Sequence, residues 1–388
     1  MSEPLHLVDT TMFWSPTGGG VRRYLKTKHA WLARQARWRH TIAVPRVAGS
    51  DDAIVALPSL PLPGSGGYRL PVRRAAIART LVALAPDIIE AGDPYRVAWG
   101  ALDAAHVLGV PAVAYCHSNI AALARLAAGR RFGPVAARVA ERYARRVYRG
   151  FDLVLAPSQA MTAHLREWGV ERVACQPLGV DSTVFHPSRR DPAWRERHGI
   201  ESGSRLLVYA GRFAPEKHLD VIAAAVNRLG APYTLLVIGA GPAPPPAGPR
   251  VVVMPFVDST EALATALASA DAFVHAGDQE TFGLSALEAM ASGLPIVVRD
   301  AEGLGELVDP SVGVAVAGAS SASFSEAIAA LFEGDVQERS RAARRRAEAS
   351  DWQRVLPGLV AHYLRLIAGE GVVVTQATAS SEAGALQR

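Results

Sequence analysis

Two glutamates stand eight positions apart in the stretch ETFGLSALEAM, Glu280 and Glu288, around the pair Phe282-Gly283. An apolar run precedes the stretch, and small residues lead from it to Gly293. The pattern predicts a helix starting near Phe282 or Gly283, with Glu280 just outside its N-terminus and Glu288 well inside. Eight helical residues span ~12 Å. Ionised carboxylates are strong acceptors for neutral hydroxyls, so the pair can grip the two ends of one elongated ligand bearing diols. Between them the unpaired N–H groups of the helix start suit an anion, and Gly283 lets it approach the backbone closely. That length fits a sugar, a diphosphate and a ribose in series. The plainer reading makes Glu280 a partner of the helix dipole and Glu288 a solvated residue.

Other residues bear on the choice. In YAGRFAPEKHLD a strand ends in Gly211 and is followed by Arg212 and Lys217, two cations that can neutralise a diphosphate leaving group. The stretch SPTGGGVRRYL places Gly18, Gly19 and Gly20 between a strand and a helix. It lacks the Gly-Lys-Ser/Thr of a phosphate loop and the spacing of a dinucleotide fingerprint, so it reads as a lid or as a place where backbone meets a sugar. His117 ends the apolar run AVAYCH and is placed to hydrogen-bond a substrate; Asp93 and Tyr95, in AGDPYR after another such run, are candidates for contact with an acceptor. No Asp-x-Asp occurs and the remaining histidines show no ligand spacing, so no metal site is expected.

These residues must be held by something. Apolar runs at 5–9, 41–45, 87–91, 112–117 and 153–158 alternate with helical stretches such as 20–37, 95–109 and 134–148. After the turn-rich connector 179–192 the alternation restarts with runs at 205–211, 233–241, 250–256, 272–277 and 295–300. The expectation is an α/β protein of two successive parallel sheets, each covered on both faces. Ligands of such sheets bind at the carboxyl ends of the strands, so the cleft between two of them is the expected site. The boundaries fall at 1–185 for the first domain, 186–350 for the second, 351–370 for a closing helix capped by Asp351, and 371–388 for a small polar tail expected to be disordered. The run GPAPPPAGP (241–249) reads as a stiff surface loop inside the second domain.

A chain of 388 residues, about half hydrophobic and a fifth charged, has room for two cores of ordinary size. Its two cysteines, Cys116 and Cys175, make neither a disulfide framework nor a metal site. The N-terminus lacks a signal-peptide pattern and no window is apolar enough to span a membrane, so a cytoplasmic location is expected. Charge is uneven: residues 1–185 hold 23 Lys+Arg against 13 Asp+Glu, and the remainder 18 against 23. The basic first half either faces something anionic or reflects Arg-rich composition.

Taken together, Gly211-Arg212-x4-Lys217, the Glu280-x7-Glu288 pair in ETFGLSALEAMASGLPIVV, the glycines at 18–20, His117 and the segments APSQ and GVDSTVFHP resemble the retaining glycosyltransferases of family GT4. The resemblance covers residues 5–370 and implies the GT-B fold, two Rossmann-like parallel-sheet domains facing a central cleft. It implies a hexosyltransferase taking a GDP- or UDP-linked sugar, with no cofactor and no metal. By resemblance Glu280 holds donor-sugar hydroxyls and Glu288 the ribose; Arg212 and Lys217 bind the diphosphate with the N–H groups of Gly283 and Leu284, beside Thr281 and Phe282. The main chain at Phe256 and Val257 meets the base. His117 and the Gly18–Gly20 loop approach as the cleft closes, and the last helix crosses back to the first domain. HAGDQ (275–279) departs from the Pro-Ser common in the family and looks like mannosyltransferase relatives, which points to GDP-mannose. Two other readings stand beside this one: a GT-B-like nucleotide-sugar 2-epimerase, which needs no acceptor, and a non-catalytic protein that binds sugar nucleotides.

In GPVAARVAERYARRVYR (133–149), Val135, Val139, Tyr143 and Val147 form one line and Arg138, Arg142, Arg145 and Arg149 another. Such a helix either lies on an anionic membrane or packs its apolar line on the sheet. The first alternative makes the protein a peripheral enzyme on the inner membrane face, acting on a lipid or lipid-linked acceptor. No basic motif interleaved with aromatics supports nucleic-acid binding.

Overall fold

The computed structural model describes residues 3–14, 19–45, 53–61 and 67–370. Gly18 and the tail 371–388 lie outside the described residues.

The first unit is a seven-stranded parallel sheet: β1 (Leu5–Thr10), β2 (Trp38–Val44), β3 (Ile54–Ala56), β4 (Ile88–Ala91), β5 (Ala112–Tyr115), β6 (Leu153–Ala156) and β7 (Val173–Cys175), in the order β3-β2-β1-β4-β5-β6-β7. The second has six parallel strands: β8 (Arg205–Ala210), β9 (Tyr233–Ile238), β10 (Val251–Met254), β11 (Ala272–His275), β12 (Ile296–Arg299) and β13 (Gly313–Val316), in the order β10-β9-β8-β11-β12-β13. The central strands are buried on both faces, as their mostly Val/Ile/Leu/Ala composition requires. Every strand expected from an apolar run is present. Three short ones, β3, β7 and β13, were not legible, because an edge strand is short and only part-buried and so carries little apolar signal.

In each sheet the chain runs outward in one direction, then returns to the middle and runs the other way. The reversal falls between β1 and β4 in the first unit and between β8 and β11 in the second. At such a switch point the two following loops part and leave a crevice beyond the strand ends.

The closing helix, Trp352–Ile367, is capped by the Asp351 carboxylate and packs on the first unit. Its Tyr363 hydroxyl lies 2.8 Å from the Lys28 ammonium, which is fully buried and also reaches Asp9 (2.8 Å) and Glu90 (2.9 Å). Burial pushes both carboxyls up; the charges of Lys28 and His40 reverse this at Asp9, holding it to about 2, while Glu90 stays raised to about 7. One ammonium among these groups thus fastens the last helix to the first sheet.

The arginine-rich helix spans Gly129–Tyr148 and buries Ala137, Ala144, Val147 and Tyr148. The apolar line splits: Val147 is in the core, whereas Val135 and Val139 are 59% and 58% exposed and Phe132 62%. Most of that line therefore does not pack on the sheet. The loop 241–249 is largely exposed, as expected. Among the described residues no helix is long and apolar enough to cross a membrane.

Candidate functional site

The loops after β8 and β11 carry the residues nominated from sequence. Arg212 and Lys217 follow β8, in a tight turn closed by the one-turn helix Pro215–Lys217. Glu280 follows β11, and the helix Leu284–Ala291 begins four residues later with Gly283 as its N-cap, at φ +92. A Cβ there would meet the Leu304 and Leu307 side chains at 2.9 and 3.1 Å, so both the conformation and the space call for glycine. Two further glycines, Gly239 and Gly241 in VIGAGP (237–242), follow β9. A Cβ on Gly239 would lie 1.9 Å from the Gly211 carbonyl and one on Gly241 2.1 Å from that of Phe213, so they let two loops pack backbone to backbone.

The switch point brings Lys217 and Glu280 together: Nζ to Oε1 is 2.5 Å. His275 joins them, its Nδ1 accepting from the Gly277 N–H at 3.0 Å, which leaves Nε2–H to face Glu280 Oε1 at 3.3 Å. Burial pushes the Glu280 carboxyl up, but the Lys217 charge and the His275 hydrogen bond outweigh it and hold the pKa well below the usual carboxylate range. Burial also lowers the pKa of His275, which favours its neutral form. Glu280 is thus ionised and aimed, with a quarter of its side chain still accessible. Arg212 pairs with the buried Glu216 carboxylate at 2.7 Å while its own side chain remains 64% exposed. His275 and Glu216 were not nominated from sequence. The HAG of HAGDQ carried the signal for His275, since a histidine two residues before a glycine can fold back on that glycine's N–H.

Glu288 lies in the cleft helix among Ala286, Leu287, Ala289 and Met290, all buried. It is neither solvated nor alone: its Oε1 accepts from Arg23 Nη1, on the Gly20–Leu32 helix of the first unit. The cleft is closed over this point. Gly19 caps that first helix, and a Cβ on Gly20 would touch the Leu284 side chain at 3.3 Å. Thr281 Oγ1 donates to the His117 carbonyl at 3.0 Å. The Glu306 carboxylate caps the N–H groups of Gln159 (3.0 Å) and Ala160 (2.6 Å). Phe282 is buried under the same contacts. Phe256 and Val257 are half-buried in the loop after β10, at the same end of the sheet.

His117 sits at the end of β5 with its ring stacked on Tyr115 at 4.4 Å. Burial and the nearby Lys28 charge lower its pKa to about 3. Its Nε2 is buried and has no hydrogen-bond partner, a costly arrangement unless a ligand atom completes it. A neutral imidazole so placed is a hydrogen-bonding group, not a proton shuttle at neutral pH.

Asp93 corrects the expectation of direct contact with an acceptor. It is buried, and its oxygens accept from the N–H of Met12 (2.6 Å) and Tyr95 (3.0 Å) and from Thr11 Oγ1 (3.2 Å). It ties together the two loops of the first switch point. The wall it holds is a cleft of about 520 Å³ lined by Met12, Leu70, Tyr95, Arg96, Trp99 and Tyr143. Tyr95 is among the residues lining that cleft. Among the described residues no cluster of three or more His, Cys, Asp or Glu is placed to hold a metal ion.

Two family models match, "Glycosyl transferases group 1" over residues 204–334 and "Glycosyltransferase Family 4" over residues 18–184. A GDP-mannose-dependent alpha-mannosyltransferase of Mycolicibacterium smegmatis is 34% identical over 322 residues, 79% of this chain and 81% of the relative. A GDP-mannose-dependent alpha-(1-6)-phosphatidylinositol dimannoside mannosyltransferase of Mycobacterium tuberculosis is 30% identical over 383 residues, 92% and 95% of the two chains. Among solved structures, a sucrose-phosphate synthase of Thermosynechococcus elongatus superposes with a TM-score of 0.74 at 19% identity, over 94% of this chain and all of the other. The Anabaena protein HepE, in complex with UDP and glucose, gives 0.71 at 18%, over 92% and 98%. At those identities the likeness concerns the fold, which is GT-B.

Proposed function

Because the chain belongs to glycosyltransferase family 4 and is a hexosyltransferase, we propose that it moves mannose, with retention and without a metal, from GDP-mannose to a hydroxyl of a lipid or lipid-linked acceptor at a membrane surface. The observation that carries the donor half is the Lys217–Glu280–His275 cluster beside the N-terminus of the cleft helix. Glu280, kept ionised and oriented, accepts hydrogen bonds from the sugar hydroxyls, and Glu288 from the ribose. Lys217, Arg212 and the N–H groups of Gly283 and Leu284 receive the charge that grows on the diphosphate as the bond from the sugar's anomeric carbon to the phosphate oxygen breaks. The acceptor hydroxyl bonds to that carbon from the same face, and its proton passes to the departing phosphate oxygen, releasing GDP. His117 Nε2 hydrogen-bonds the sugar in the closed cleft. Two relatives named as GDP-mannose-dependent mannosyltransferases support the choice of donor.

The acceptor half rests on the first unit. Phe132, Val135 and Val139 are exposed on the arginine-rich helix, and Tyr143, one turn further along the same face, lines the cleft held by Asp93. Apolar side chains in water beside Arg138, Arg142 and Arg145 fit an anionic lipid surface, and they lead to the place where an acceptor meets Tyr95. A 2-epimerase would have no use for that surface. The relative named for phosphatidylinositol dimannoside adds support for a lipid acceptor.

The test is donor turnover: nucleotide release by the full chain from GDP-mannose and from UDP-sugars, with and without membrane lipid extract. Release of GDP that depends on lipid is expected. Release of UDP instead would overturn the donor, and release that ignores lipid would overturn the acceptor class.

A further inference from the structure

Glu288 poses a problem that the ribose role does not by itself resolve. The residue is 2% exposed in an apolar helix, where an unpaired carboxylate would be costly. Its partner comes from the other unit: Arg23, 265 positions away in sequence, donates to Oε1. Arg23 is itself partly buried, with 28% of its side chain still accessible. Burial lowers its pKa, and its guanidinium lies 5.9 Å from the centre of the Phe185 ring. The pair is therefore a charge-assisted contact to a desolvated carboxylate bridging the cleft, unlike the rim pair Arg22–Asp258 at 3.7 Å, whose carboxylate is 78% exposed.

The other two cations of the donor site are paired within their own unit, Arg212 with Glu216 and Lys217 with Glu280. Arg23 alone of the three belongs to the facing unit. A ribose diol offers two donors to a carboxylate, and one of the two oxygens it would take is the one Arg23 now holds. The Leu284 N–H, where the diphosphate is read to bind, lies one helical turn from Glu288, about 6 Å. Arg23 is one turn beyond Gly20, which faces Leu284 so closely that an added Cβ would lie 3.3 Å from its side chain. A guanidinium released by Glu288 has only to swing along the cleft helix to meet phosphate oxygens.

We propose that Arg23 is a donor-displaced counter-ion: it neutralises Glu288 while the site is empty, yields that carboxylate to the ribose when the donor binds, and transfers its hydrogen bonds to the diphosphate. The inference rests on the reading of Glu288 as the ribose carboxylate. It makes Arg23 a positioning residue that links donor occupancy to the contact between the units, since its charge has a partner in the cleft in both states.

The experiment is calorimetric titration of guanosine and of GDP into the full-length wild type and Arg23→Ala, Arg23→Lys and Glu288→Gln variants, each checked for an unchanged thermal transition. Arg23→Ala is expected to bind guanosine several-fold more tightly, because the ribose no longer competes, and GDP several-fold more weakly. Arg23→Lys should restore part of the GDP affinity. Losses of both ligands in parallel, or no change in either, would overturn the exchange and leave Arg23 a structural contact. Should Arg23→Ala fail to fold, the Arg23→Ala/Glu288→Gln double variant removes the buried unpaired charge; GDP affinity equal to that of Glu288→Gln alone would equally overturn the proposal. Unaltered guanosine binding by Glu288→Gln would instead remove the ribose reading on which it stands.

Discussion

At the switch point of the second sheet, Lys217, His275 and Glu280 meet within 3.3 Å and the carboxylate is kept ionised. In the loops beyond the switch point of the first, the carboxylate of Asp93 is shut in by its own backbone, and burial raises its pKa to about 6. The same topological device thus presents an ionised cluster in one unit and a largely apolar and aromatic wall, with Arg96 at its side, in the other. A nucleotide sugar, the proposed donor, brings fixed charge and hydroxyls at set distances, which suit a rigid array of ions. On the proposed reading, an acceptor anchored in lipid brings mostly apolar surface, which Met12, Leu70, Trp99 and the exposed Phe132, Val135 and Val139 can meet, with Arg96 as the charged side chain of the cleft.

That contrast can be broken by substitution. Glu280→Ala should cost the most, about a thousandfold in both kcat and kcat/KM, read as GDP release, with GDP binding by titration little changed. Equal loss of GDP binding would mean that the ionic cluster supports the loops rather than the sugar. Lys217→Ala should follow at about a hundredfold, because its buried side chain is the proposed partner of the leaving group. His117→Ala should lower kcat ten- to a hundredfold, on the order of one lost hydrogen bond in a closed site. Since burial holds this imidazole neutral down to about pH 3, activity should show no inflection from it on either side of neutrality. An acidic limb near the usual histidine value that vanishes in His117→Ala would contradict the assignment.

Smaller effects sharpen the apolar side. Val135→Asp/Val139→Asp should reduce flotation with anionic vesicles about tenfold while leaving GDP binding untouched. Flotation unaffected by the double change would leave the exposed line without a lipid partner. Arg212→Ala should be the mildest, with turnover down less than about tenfold, because an exposed cation is screened by water. A loss matching that of Lys217→Ala would show that closure buries it more than the empty site does.

The strand-like runs, the two-unit plan and the places of Arg212, Lys217, His117, Glu280 and Glu288 at strand ends or helix starts were legible because each is a local property. A run of branched residues forms a buried strand wherever it lies, and Glu280 before the helix with Glu288 inside it follows from 3.6 residues per turn. The role of Asp93 was misread for an equally local reason: a carboxylate after a strand looks the same whether it faces a ligand or its own loop. The short edge strands carried too little apolar sequence to register.

The sequence by itself thus determined the periods, the caps and the list of groups able to do chemistry, since these depend on neighbours a few positions away. Only the tertiary structure decided the partners. Lys217 finds Glu280 across 63 positions, and Arg23 finds Glu288 across 265; strand order and domain closure set those meetings. The same holds for the outward turn of Val135 and Val139, because periodicity gives a helix its faces but not the side on which the sheet will lie.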